Sequence, residues 1–268
     1  WSLRIRKLVA EFVASSKLIS LLVIVGVLMF SCTTMQYTSK TKDVTISKGR
    51  PAEDANRYIA IPPSDSEFIS MSKEIQEALK KYPKDFLMNS IHYVVLYRSM
   101  TSVSYFDDDK LEFAGTIGEK YIYITLRDGL WYVENIFHHE FNHILADAHY
   151  KLFDREKWEN LNPSDFRYQG RYYSIAYIAE RGSSQPWFDT TFLHEGFLSE
   201  YSKTHLKEDF ARYAEALFMS KKEFWDAYEK YEKVRGKADL VIEFYNRLHP
   251  IFTEEYFRNL DEGTGINL

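Results

Sequence analysis

Residues 131–150, WYVENIFHHEFNHILADAHY, constrain the fold of this chain more than any other stretch. Trp131, Val133, Phe137, Phe141, Ile144 and Leu145 recur at helical spacing, which predicts one long helix with a face turned to a core. His139 and His143 stand four apart, about 400° of helix rotation, and so project from one face a turn apart. Two imidazoles in that position can share one zinc ion. Glu140, about 100° round from His139, is placed to reach a water on that ion rather than to join the pair. Zinc brings such a water to a pKa of about 7 and polarises a carbonyl, while the carboxylate takes the proton. His139 and His143 are therefore expected metal ligands and Glu140 a general base. Two surface histidines on a charged face would be the alternative, but Phe137, Phe141, Ile144 and Leu145 make the neighbourhood apolar.

Catalytic zinc usually takes three protein ligands, so a third is required. His149 lies ten residues after His139, the spacing of HExxHxxGxxH. The glycine that turns the chain back in that pattern is Ala146 here, the best helix former. On a helix that continues, His149 falls about 240° round from His139 and faces away. The other source is a glutamate from the later segment 196–218, GFLSEYSKTHLKEDFARYAEALF. It offers Glu208 and Glu200, with Glu195 just before it. His194-Glu195 does not begin a second motif, because Leu198 stands where its second histidine would be. An acid in the first turn of an amphipathic helix is also favoured by the helix dipole alone, so spacing does not choose among them.

A resemblance does. EDFA at 208–211, with Tyr201 seven residues earlier, resembles the glutamate helix and preceding tyrosine of zincins of the anthrax lethal factor type. HEFNHIL, GFLSEYSKTHLKEDFA and the preceding AGTIGEKYIYI together resemble a family of zinc metallopeptidase lipoproteins of Bacteroidetes, described as substrate-import-associated zinc metallohydrolases. The resemblance covers roughly residues 58–260. It implies a zincin-like fold of gluzincin type, one Zn²⁺ held by His139, His143 and Glu208, and Tyr201 steadying the oxyanion. It also implies an edge strand that binds an extended peptide, and a partner in a TonB-dependent import complex. One position departs: Arg212 stands where the family has a second glutamate, which leaves support of a histidine ligand to another acid, Glu215 or Asp209.

The N-terminus carries a different signal. Arg4, Arg6, Lys7 and Lys17 precede an apolar run, Leu18–Phe30, too short to cross a bilayer comfortably and right for a signal-peptide core. It ends at Ser31-Cys32, the chain's one cysteine, which resembles a lipobox and implies cleavage before Cys32 and lipidation of its thiol. The expected organisation is a lipoprotein signal peptide over 1–31, a flexible polar tether over 32–57 and one catalytic domain over 58–268. The body is expected outside the cytoplasm, anchored to the lipid bilayer of a bacterial outer membrane. With a net charge of −5 no basic signature for nucleic acid is present.

Periodicity predicts a helix over 66–81 stopped by Pro83, strands over 91–98 and 121–126, and helix from about 206 to 248 with a break at Gly236. The fold class is α+β: a small early sheet, the motif helix, and a helical C-terminal half. The function expected is peptide-bond hydrolysis by a membrane-anchored zinc metallopeptidase. The alternative is a weakly active or inactive accessory lipoprotein that binds substrate for an importer.

Overall fold

The computed structural model describes residues 38–49, 58–102, 112–170, 177 and 187–260. The expected signal peptide, Cys32 and the rest of 1–37 lie outside the described residues, as do 50–57.

The chain enters a five-stranded mixed sheet at once. Strands β1 (Thr38–Thr41) and β2 (Val44–Lys48) form a hairpin, turned by Lys42 and Asp43 with φ of 49° and 66°. β2 then runs parallel to β4 (Tyr93–Tyr97), β4 parallel to β7 (Tyr121–Thr125), and β6 (Gly115–Ile117) closes the far edge antiparallel to β7. The expectation of a tether over 32–57 is thus corrected for residues 38–49: Val44 and Ile46 are fully buried and belong to the main core. Two large apolar residues in a run of Thr, Ser and Lys are too few to register as a period. A short ribbon of β3 (Tyr58–Ile61) and β5 (Ser99–Ser102) completes the strands.

Alternation in the strands sorts the sheet into two faces. Val44, Ile46, Val94, Leu96, Ile122 and Ile124 join the main core, whereas Val95 and Tyr123 pack with Met100, Tyr58, Tyr97 and Phe113 in a smaller cluster. The main core is roofed by two helices. Helix α1 (Asp65–Lys80) opens with a capping box of Ser64 and Glu67 and buries Phe68, Met71, Ile75 and Leu79. After the short α2 (Lys84–Ser90), the motif helix α3 (Val133–Ala148) buries Val133, Ile136, Phe137, Phe141, Ile144 and Leu145. It packs on α1, on β6 and on β7.

The C-terminal half is helical: α4 (Arg155–Asn160), α5 (Thr190–Glu195), α6 (Leu206–Met219), α7 (Lys222–Lys230), α8 (Glu232–Leu248) and α9 (Glu254–Arg258). The break expected at Gly236 is absent; α8 runs through it. Breaks fall instead at Ser220, in the left-handed region with φ of 47°, and at Tyr231, which is extended. Gly236 serves packing, since a Cβ there would stand 2.9 Å from a Leu161 methyl. No helix among the described residues is long and apolar enough to cross a membrane. The molecule is mixed α and β, with α3 lying between the sheet and α6.

Candidate metal centre

The packing of α3 against α6 brings the separated residues together. His139 and His143 turn the same way from α3, half-buried, with their Nε2 atoms 3.2 Å apart. Glu208, in the first turn of α6, sets Oε2 3.0 Å from His139 Nε2 and 3.4 Å from His143 Nε2. Among the described residues these three form the one group of histidine, cysteine and acidic ligand atoms within 4.8 Å of one another. Tetrahedral zinc with bonds of about 2.0–2.1 Å keeps its donors about 3.3–3.4 Å apart. The observed 3.0–3.4 Å triangle fits that ion, and two imidazole nitrogens and a carboxylate oxygen are its usual donors.

The electrostatics ask for a cation at this point. Burial pushes the Glu208 carboxyl up, but the two imidazoles outweigh it and hold the group well below the usual carboxylate range. Burial lowers His139, yet the carboxylates of Glu208 and Glu215 raise it to about 9. Positive charge, on the imidazole or on a metal, is therefore strongly favoured between these acids.

Glu140 lines the same cleft, a cavity of about 480 Å³. Burial raises its carboxyl above the ordinary value, against the pull of His143 and His139. A base moved toward neutrality is better matched to proton transfer at physiological pH. Gly115 on edge strand β6 presses on it: a Cβ there would meet Glu140 Cγ at 2.8 Å and Ile136 Cγ2 at 2.6 Å. Tyr201 sits in a single 3-10 turn, Tyr201–Lys203, just before α6. It is almost fully buried, and its ring lies 6.4 Å from that of His139. Burial and the Glu208 charge push its phenol well above the normal tyrosine value, so it stays protonated and can donate.

The other candidates lie elsewhere. His149 caps the C-terminus of α3, exposed and away from the cluster, after a helix that continues through Ala146 as expected. Glu200 accepts a bond from Tyr177, and Glu195 pairs with Lys203. His138 turns into the core against Tyr82, and the ring of His194 packs on Tyr231.

Of the two acids proposed to stand behind a histidine ligand, Glu215 is the one present. It is fully buried, with Oε2 3.4 Å from His139 Nδ1 and Oε1 accepting from Asn135 at 3.0 Å. Asp209 points away to Lys237, Trp158 and Tyr168. Sequence reading missed Asn135 and Tyr132, which lie four and seven residues before His139. The 3.6-residue period that found His143 places both near the His139 face and was the available signal.

A crystal structure described as a "putative zinc-binding metallo-peptidase" from Bacteroides caccae is similar at 11% identity, with a TM-score of 0.47, over 81% of this chain and 85% of that one. No curated protein matches. The sequence model of the family described as "Putative zinc-binding metallo-peptidase" matches residues 125–252, a segment that holds both histidines, Glu140, Tyr201 and Glu208, and over this segment the chain is similar to that family.

Proposed function

We propose that the chain is a zinc-dependent peptidase of gluzincin type. The observation that carries this reading is the convergence of His139, His143 and Glu208 beside Glu140 in one cleft. The three ligands would hold one Zn²⁺, which supplies a Lewis acid for the scissile carbonyl and acidifies a water. Glu140 would accept a proton from the attacking water and pass it to the leaving amine. The protonated Tyr201 phenol donates to the oxygen on which negative charge develops.

The edge strand supplies a place for substrate. Ala114 O accepts from Thr125 N and Gly118 N donates to Tyr121 O, so alternate residues of β6 bond inward to β7. The backbone groups of Gly115 and Ile117 then face the open edge beside the cleft, where an extended peptide can add as a further strand.

Cleavage of a peptide library, assayed with wild type and Glu140→Gln, tests this reading. A loss of activity of about 10²–10⁴-fold with zinc retained is expected. Zinc binding without any cleavage that depends on Glu140 would favour instead a zincin-fold accessory protein that binds substrate for an importer.

The lipobox-like Ser31-Cys32 supports a further part of the proposal: an extracytoplasmic lipoprotein, tied to the outer membrane through Cys32 and working with a TonB-dependent importer. Labelling of cells with a radioactive fatty acid should mark the wild-type protein and not Cys32→Ala. Equal labelling of the two would sink the anchor.

A further inference from the structure

Arg212 is a buried arginine beside the metal centre, and the structure gives it a defined place. The residue is 2% exposed, on α6 one turn beyond Glu208. Its Nη1 donates to Glu215 Oε2 at 2.9 Å and also to the Tyr132 hydroxyl. Its guanidinium carbon lies 4.7 Å from the centroid of the Trp187 ring and 5.0 Å from that of Tyr201. The oxygen it holds, Glu215 Oε2, is the one that faces His139 Nδ1.

Two links therefore leave one guanidinium. The first runs through Glu215 to the imidazole of His139. The second runs by ring contact to Tyr201, whose own position decides where its hydroxyl points. Charge gives a reason for the arrangement. Glu140, Glu208 and Glu215 put three carboxylates around the cleft. A dication alone leaves that set one negative charge in excess; the guanidinium balances it. A buried carboxylate with no counter-charge is costly, and Arg212 supplies that counter-charge to Glu215.

We propose that Arg212 is a positioning residue for the metal centre. It fixes Glu215 against His139 and Tyr201 beside the cleft. The inference rests on the zinc reading above. It requires arginine rather than any cation, because a flat guanidinium can lie against two rings while its N–H groups bond in plane. It also makes Arg212 and Glu215 a unit, so that losing either strands the other as an unbalanced buried charge.

The test is a double-mutant cycle on zinc affinity, measured by competition with a chromophoric chelator. The visible spectrum of the cobalt-substituted protein is recorded alongside. Arg212→Gln and Glu215→Gln should each weaken zinc by roughly 10–100-fold and alter the cobalt bands. The double variant should lose clearly less than the product of the two. Arg212→Glu should bind zinc more weakly than Arg212→Gln, since it sets a second acid beside Glu215. Wild-type affinity and spectrum in Arg212→Gln, or strict additivity in the cycle, would overturn the proposal. If Arg212→Gln does not fold, Arg212→Lys decides, as it keeps charge and bulk. An affinity at least about fivefold lower with altered bands is expected, and an unchanged spectrum and affinity overturns the role. A wild-type protein that binds no zinc would sink the zinc reading itself, an outcome distinct from failure of the cycle.

Discussion

Gly115 shows how closely single residues set this site. Its lack of a side chain lets the edge strand lie against Ile136 and Glu140, and an added methyl would overlap both. Gly115→Ala should therefore push either β6 or the Glu140 carboxylate out of place. We expect at least about a tenfold fall in kcat/KM, of the size that misplacement of catalytic groups by about 1 Å produces, with zinc affinity unchanged, since the three ligands are not touched. Steady-state kinetics beside a zinc titration checks this, and full activity would show that the contact does not hold the base. At this scale the sequence was most legible where chemistry and helical period coincide. His139, Glu140 and His143 are readable because four-residue spacing on an amphipathic helix has one geometric meaning. Glu208 required a resemblance, because a first-turn acid looks the same whether or not it faces a metal. Glu215 sits among apolar residues of α6, and its charge is tolerated there because Arg212 on the same helix and Asn135 on α3 both bond it.

At the scale of elements, two buried polar groups brace the helices that carry the ligands. Lys237 of α8 and Asp209 of α6 are both fully buried, 2.7 Å apart, and Trp158 and Tyr168 donate to the same Asp209 oxygen. Lys237→Met leaves that carboxylate stranded and should destabilise the protein by roughly 3–5 kcal/mol. Adding Asp209→Asn should recover most of the loss, since Trp158 and Tyr168 can still donate to the amide oxygen. Urea unfolding of the single and double variants measures this; equal loss in both would mean that the ion pair is not the brace. The clue in the sequence was a lysine on the apolar stripe of Val234, Ala238 and Val241, read over because lysine is so often at the surface. A second brace joins α1 to α3. Burial raises the Glu134 carboxyl, but the bond from His138 and the Lys81 ammonium at 2.9 Å outweigh it and hold it at about 2. A depressed carboxylate contributes stability above its unfolded value, near 4.5, and loses it as pH falls toward 2. Stability should therefore drop between those pH values by on the order of 3 kcal/mol from this group. Glu134→Gln should flatten that part of the urea-midpoint profile; an unchanged slope would assign the acid loss to other groups.

At the scale of the whole molecule, a sheet, a motif helix and a helical second half were all readable from pattern. Their boundaries within the helical half were not. Gly236 looked like a break because glycine weakens helices, yet close packing against Leu161 is what places it inside α8. The hairpin over 38–48 escaped notice for the opposite reason: a polar strand is held by its neighbours in the sheet, and neighbours are not in the local sequence. The architecture nevertheless has one evident consequence. It sets α6 across α3 so that ligands 65 or more residues apart in the chain meet at one point. The most direct test is the zinc content per chain after equilibration with a metal buffer, for wild type and Glu208→Ala side by side. The account predicts one zinc per chain in the wild type and, at the same free zinc, an affinity at least about tenfold lower in the variant. A wild type without zinc, or a Glu208→Ala protein that keeps a full equivalent with unchanged affinity, would contradict it.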